Sequence, residues 1–183
     1  MNIEFYKSLY EEEWARKDEL QSSASIALGI LTLVGGALVF LIQQLESLVY
    51  PWRLAFLIAA ASAGVAMLGA IYQLVRTHVG YVYRRLAFPT ELLSFQNDLI
   101  AWYRSYAPAM PQPERERQAE AEFNHGIVER LVEATDRNTR NNVKRGEHLH
   151  RANLLLVITL IFVLTAAIPV GVCMLARNPM TPT

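Results

Sequence analysis

The chain has 183 residues, of which 52% are hydrophobic and only 19% charged, and its formal net charge is zero. It is more apolar than an average soluble domain, and it has no basic excess that would favour binding to nucleic acid. Its single cysteine, Cys173, excludes an intrachain disulfide and a cysteine-based metal site.

Charged residues are distributed very unevenly along the chain. Three apolar runs, residues 23–45, 54–75 and 152–176, contain no charged residue. A helix rises about 1.5 Å per residue, so about 20 residues cross the roughly 30 Å hydrocarbon core of a bilayer. We therefore predict an all-α integral membrane protein with three transmembrane helices, two of them in a hairpin at 23–76 and the third at 152–176.

Residues 1–22 precede the first span and mix acidic with aromatic residues. Phe5, Leu9 and Trp14 form a rough apolar stripe with carboxylates on the other faces, which predicts an amphipathic cytoplasmic helix. This start lacks the basic, apolar and small-residue order of a cleavable signal peptide. We expect the first span to remain in the membrane as an uncleaved signal-anchor.

Small residues recur at four-residue spacings in the first two spans, as in Ser25 with Gly29. This spacing lets helix backbones approach closely inside a bilayer. The glycines that we predict to be helix-packing positions are Gly29, Gly35, Gly36 and Gly64. Such spacings are common in membrane bundles, so they indicate packing and do not identify a partner.

Aromatic and basic residues flank the second span. Trp52 comes just before it, and the patch YVYRRLAF at 81–88 follows it with Tyr83, Arg84 and Arg85. Rings and cationic side chains favour the headgroup level of a bilayer, so these residues predict an interfacial anchor. We expect the helix of the second span to continue through this patch.

The region 77–151 is predicted to be cytoplasmic and helical. Thr90 is a candidate cap for a helix after the aromatic-basic patch. The prolines of APAMPQP, residues 107–113, cannot sustain a helix and predict a hinge. From residue 114 to about 176 the sequence fits either one very long helix or two coaxial helices that bend near 138–146.

The run ATDRNTRNNVKRGEHLHRAN combines asparagines, which are poor helix formers, with clustered basic residues. Its key members are Asn138, Asn141, Asn142, Arg137, Arg140, Lys144 and Arg145. One interpretation is a basic collar on anionic lipid. A second is a polar seam in which asparagines of neighbouring subunits pair and set the register of an oligomer. A third is a site for an anionic ligand such as a nucleotide.

The basic residues also predict an orientation. Fifteen of the 17 lysines and arginines lie in residues 1–22 and 76–151, whereas the loop between the first two spans and the tail 177–183 carry one each. Translocation of cations is disfavoured. We therefore predict an inner-membrane protein with a cytoplasmic N-terminus and a periplasmic tail.

The sequence contains no motif of a known catalytic chemistry. There is no Gly-rich phosphate loop, no HExxH and no GxSxG pattern, and no charged residue lies inside a span. His148 and His150 point in different directions on a helix and have no completing ligand. We expect no enzymatic activity, no cofactor and no metal.

Several segments together carry a resemblance to a known group of proteins. They are the charged lead-in FYKSLYEEEWARKDEL, the Gly-rich first span SIALGILTLVGGALVF, the close second span and a long helix with TDRNTRNN. The chain resembles small membrane effectors of bacterial anti-phage defence, nearest to the SLATT-type families that accompany nucleotide-signalling operons. The resemblance covers most of the chain.

This resemblance implies an effector that oligomerises and breaches the membrane when an infection signal arrives. The implied partners are the lipid bilayer, further copies of the chain, and a soluble cytoplasmic defence protein or an anionic signalling ligand. The alternative is a non-pore membrane anchor or sensor subunit that binds a soluble partner through its cytoplasmic helices.

Overall fold

The computed structural model describes residues 2–177, and these residues form four α-helices, one short 3₁₀ helix and no strand. The helices are α1 (Ile3–Gln43), a 3₁₀ turn (Leu45–Ser47), α2 (Trp52–His78), α3 (Pro89–Tyr106) and α4 (Gln112–Arg177). The all-α prediction is confirmed, and α1, α2 and α4 are each long and apolar enough to cross a membrane. Beyond Arg177, the predicted periplasmic tail lies outside the described residues.

α1 is one helix where the sequence predicted two elements, an N-terminal helix and a first span. Asn2 accepts the amide hydrogen bond of Phe5 at 3.3 Å through its side-chain Oδ1, which satisfies one of the free amides at the helix start. From there α1 continues to Gln43, so the predicted N-terminal helix of residues 1–22 and the first span belong to one helix.

The predicted helix through the aromatic-basic patch is wrong, because residues 81–88 are not helical. α2 ends at His78, and Gly80 adopts a φ of +94°, a conformation that residues with a side chain rarely adopt. At the other end Pro89 disfavours the helical conformation of the residue before it. The chain therefore remains extended through Phe88, and we call residues 81–88 the extended segment.

The start of α3 also differs from the prediction. Pro89 occupies the first helical turn and Phe88 is the capping residue, so Thr90 already lies inside the helix and is not its cap. α3 ends at Tyr106 and α4 begins at Gln112, so residues 107–111 of the predicted hinge lie between two helices, whereas Pro113 lies in the first turn of α4. α4 then continues through residues 138–146 without a break, which selects the single long helix.

The described residues divide into two units. We call residues 2–18 and 81–143 the charged unit, and residues 19–80 and 144–177 the apolar unit.

The core of the apolar unit follows a repeating spacing of three and four residues on each helix. The buried positions on α1 are Ala24, Ala27, Leu31, Val34, Leu38 and Leu41. Those on α2 include Phe56, Ala59, Ala63, Ala66, Ala70 and Leu74. Those on α4 include Leu149, Ala152, Leu156, Val163, Ala166 and Val170. This is the spacing of coiled-coil packing, and the many alanines permit close helix contact.

The predicted packing glycines lie outside this stripe. A Cβ added at Gly29, Gly36 or Gly64 would meet no neighbouring atom within 4 Å, so their predicted packing role is wrong within one chain. At Gly35 an added Cβ would meet Met67 Sδ at 3.6 Å, an ordinary van der Waals distance. The close approach occurs instead at Gly69, where an added Cβ would lie 3.1 Å from Leu155 Cδ1.

Candidate functional site

In the charged unit, the extended segment is held in place by asparagine side chains of α4. Asn138 Oδ1 accepts a hydrogen bond from the Arg84 amide at 3.0 Å, and Asn138 Nδ2 donates to the Arg84 carbonyl at 3.2 Å. A primary amide carries a donor and an acceptor side by side, so it pairs with one residue's backbone as a neighbouring strand would. Asn138 thus gives the extended segment a partner that no strand provides in this unit.

Two further asparagines extend this arrangement. Asn141 Nδ2 donates to the Val82 carbonyl at 3.0 Å. Asn142 Nδ2 donates to the Glu13 carbonyl at 2.8 Å and to Glu13 Oε2 at 2.7 Å, and its Oδ1 accepts from the Tyr83 hydroxyl at 2.5 Å. The three asparagines therefore connect α4 both to the extended segment and to the first part of α1.

These contacts correct the interpretation of the asparagines as an oligomer seam. Asn138 and Asn142 are both completely buried within one chain, and their amides are bonded inside the charged unit. They are therefore not available to pair with counterparts in another subunit, and the seam is wrong for these two residues. Asn141 is half-buried and also bonded, so none of the three is a bystander.

The neighbouring basic residues separate into two groups. Arg145, in the apolar unit, is only 4% exposed, and its Nε donates to the Thr77 carbonyl at 2.9 Å. A cation suits this end of α2, where helix carbonyls lack partners, and the predicted lipid-collar role is wrong for Arg145. Arg137, Arg140 and Lys144 are exposed, so a collar of these three remains a prediction.

An aromatic and cationic cluster surrounds Trp14 of α1. The Trp14 and Tyr83 rings lie 5.9 Å apart, and Lys17 Nζ lies 4.3 Å from the Trp14 centroid and 5.3 Å from that of Tyr83. The Arg85 guanidinium lies 5.5 Å from the Trp14 centroid. Each distance is within the range of a cation–π interaction. The indole N–H of Trp14 is buried and meets no acceptor within residues 2–177.

The contacts of this cluster show which residues of the predicted interfacial anchor are already bound within the chain. Tyr83 is half-buried, its hydroxyl is bonded to Asn142 and its ring packs beside Trp14, so it is not free to meet a headgroup. Arg84 forms an ion pair with Glu133 of α4. Trp52 is exposed at the start of α2, so its role as an anchor, like that of Arg85, remains a prediction.

α3 packs on α4 through a ring seated over a glycine. A Cβ added at Gly126 would lie 3.2 Å from Phe95 Cε1, so the missing side chain makes room for the Phe95 ring. Phe123 lies against the same ring with a centroid distance of 5.8 Å. The Arg130 guanidinium, one turn further along α4, lies 5.3 Å from the Phe95 centroid.

A second polar link joins the same two helices. The Tyr103 hydroxyl of α3 donates to Glu122 Oε2 of α4 at 2.9 Å. This hydrogen bond, followed by desolvation and the charge of Glu122, raises the pKa of Tyr103, because ionisation would remove the donor and place two anions side by side.

Several of these partners were not identified from the sequence, among them Glu13, Thr77 and the pair of Phe95 with Gly126. For the α4 residues a signal existed. Leu131, Asn138, Arg145 and Ala152 recur every seven residues and all are buried, so the period places two polar residues in phase with apolar core positions. The partners on other helices have no comparable signal in the sequence.

The charged unit therefore presents guanidinium groups beside aromatic rings and a backbone segment fixed by side-chain amides. No protein-family model matches the chain, and no curated protein or solved structure is detectably similar to it. The function is therefore inferred from the residues of the chain itself.

Proposed function

We propose that the chain is a bacterial inner-membrane protein whose copies associate through α1, and that the assembly permeabilises the bilayer as an effector of anti-phage defence. The observation that carries the proposal is a face of small residues on α1. Ser25, Gly29, Thr32 and Gly36 are all exposed, and no neighbouring atom of residues 2–177 lies within 4 Å of a Cβ added at either glycine. Small residues on a lipid-facing helix favour association with another helix by close backbone approach.

The hydroxyls on this face are compatible with a bilayer. Ser25 Oγ donates to the Gln21 carbonyl at 3.0 Å, and Thr32 Oγ1 donates to the Leu28 carbonyl at 3.0 Å. Both hydroxyls are thus satisfied by their own helix, as hydrocarbon surroundings require. The face therefore needs no polar partner, and close packing is the interaction it offers.

Gly36→Leu tests the proposed interface. A leucine there should hold two copies apart and weaken association by about 1–3 kcal/mol, which is roughly 5- to 160-fold in the dissociation constant. We expect a lower particle mass in detergent and weaker membrane depolarisation on induced expression. The melting temperature of the single chain should not change, because nothing lies within 4 Å of the added Cβ.

Gly171→Leu is the matched control. Gly171 is exposed on α4, and an added Cβ there also meets nothing within 4 Å. This variant should keep the parent's particle mass and depolarisation. If Gly36→Leu has the same particle mass and depolarisation as the parent, the α1 face is not the interface.

The second candidate function is a non-pore anchor or sensor that binds a soluble protein. An exposed aromatic pair on α3 favours it, since the Trp102 and Tyr106 rings stack with centroids 5.4 Å apart and remain 50% and 74% exposed. Exposed aromatic residues are enriched where proteins bind one another. Induced expression without depolarisation would favour this second function over the first.

The proposed orientation makes a separate prediction. A reporter inserted near Pro111 should be active as a cytoplasmic reporter, and one fused after Thr183 should be active as a periplasmic reporter, because basic residues resist translocation. Reporters that respond as if both sites lay on the same side would contradict three spans. A full reversal would contradict the orientation alone.

A further inference from the structure

The charged unit contains a small cavity lined mainly by arginine. Its volume is about 270 Å³, and its lining residues are Arg84, Arg85, Leu86, Ala87 and Arg130. No carboxylate is among them. The space exceeds by far the roughly 30 Å³ that one water occupies in the liquid. Three arginines therefore line a space that is much larger than a single water molecule needs.

Two of these arginines are held by rings and not by acids. Arg85 lies over Trp14 at 5.5 Å, and Arg130 lies over Phe95 at 5.3 Å. Neither forms an ion pair with a carboxylate in the described part of the chain. Stacking on a ring uses the face of a guanidinium and leaves its N–H groups at the edge, so both side chains are oriented while keeping donors for a ligand.

The third arginine, Arg84, also lines the cavity. Arg84 is partly neutralised by Glu133, and its side chain is 44% exposed. In the extended segment the amides of Arg84 and Leu86 donate to Asn138 and to the Tyr10 hydroxyl. The alternate amides, those of Arg85 and Ala87, donate to no acceptor within residues 2–177.

We propose that this cavity binds the phosphate group of an anionic ligand. Planar guanidinium forks match the oxygens of a phosphate, which can accept two parallel N–H hydrogen bonds from one guanidinium. The phosphate is supplied either by a soluble phosphorylated compound or by the headgroup of an anionic phospholipid. The site is independent of the proposed membrane-permeabilising function, since it requires neither a pore nor an oligomer.

The test uses the full chain in a neutral detergent and two probes. Binding of inorganic pyrophosphate is measured by calorimetry, and binding of phosphatidylglycerol against phosphatidylcholine is measured by native mass spectrometry. Arg130→Gln should weaken binding of the effective probe at least tenfold. Arg85→Gln should also weaken binding of that probe at least tenfold. If circular dichroism shows that Arg130→Gln has not folded, the binding measured for Arg85→Gln decides the result.

Arg117→Gln is the matched control. Arg117 is an exposed arginine of α4 that lies outside the cavity lining and outside the predicted lipid collar, so its loss removes the same charge. It should leave binding within about twofold of the parent. If the cavity variants lose binding of pyrophosphate but not of phosphatidylglycerol, the ligand is a soluble compound. If they lose binding of phosphatidylglycerol but not of pyrophosphate, the ligand is a lipid headgroup.

Two outcomes overturn the proposal. One is that the parent chain binds neither probe. The other is that Arg117→Gln weakens binding as much as Arg130→Gln does, which would show general attraction to the basic surface and no defined site. Neither outcome bears on the association of α1 faces, so the two proposals fail separately.

Discussion

Replacing Asn138 with alanine should release the extended segment from α4. The substitution removes both hydrogen bonds to the Arg84 backbone, and Asn138 is completely buried. Each backbone group left without a partner costs about 1–3 kcal/mol. We expect trypsin to cleave after Arg84 and Arg85 much faster in Asn138→Ala than in the parent, as measured by mass spectrometry of fragments over time.

Asn141→Ala is the control for this effect. Asn141 lies one turn further along α4, but it is half-buried and makes one hydrogen bond to the same segment, to the Val82 carbonyl. Its replacement should accelerate cleavage far less. Equal cleavage rates in Asn138→Ala and the parent would mean that the asparagine does not hold the segment.

The second large effect is expected at the close contact between Gly69 and Leu155 in the apolar unit. A Cβ at Gly69 already lies 3.1 Å from Leu155 Cδ1, so a leucine side chain there must push α2 and α4 apart. Overpacking of this kind costs about 1–3 kcal/mol. Gly69→Leu should therefore lower the melting temperature of the protein in detergent, measured by the loss of helical circular dichroism.

The contrast with Gly36→Leu makes the Gly69 experiment specific. Both variants add the same side chain to a glycine of an apolar helix, but only Gly69 has a neighbour within 4 Å. Destabilisation by Gly69→Leu with no change in Gly36→Leu would confirm which face is internal. If Gly69→Leu has the same melting temperature as the parent, Leu155 moves aside without an energetic cost and the contact is not tight.

The sequence by itself determined the fold class and the three apolar helices. Residues 23–45, 54–75 and 152–176 lack charge altogether, and that composition requires surroundings that only a bilayer or a large core provides. It also determined the separation of α3 from α4, because Pro108 and Pro111 remove backbone donors whatever the rest of the chain does. Such features depend on local chemistry, so the sequence is enough to predict them.

The tertiary structure decided which face of each helix is internal. Gly29 and Gly36 have the spacing of packing residues, yet they are exposed on α1 while alanines of the same helix are buried. The spacing of residues along a helix defines which of them share a face, but it does not define whether that face is turned towards a neighbouring helix. That rotation depends on the helices packed against it, which the local pattern does not contain.

The role of the asparagines was decided in the same way. A basic run with Asn138 and Asn142 fits lipid, another subunit or an anion equally well until the partners are known. Those partners, Arg84 and Glu13, lie 54 and 129 residues away along the chain. The seven-residue period of Leu131, Asn138, Arg145 and Ala152 places Asn138 in phase with buried positions, but no local pattern places an extended segment beside it. Long-range pairing of this kind is a property of the folded chain, because buried polar groups take whichever partner the packing brings within hydrogen-bond distance.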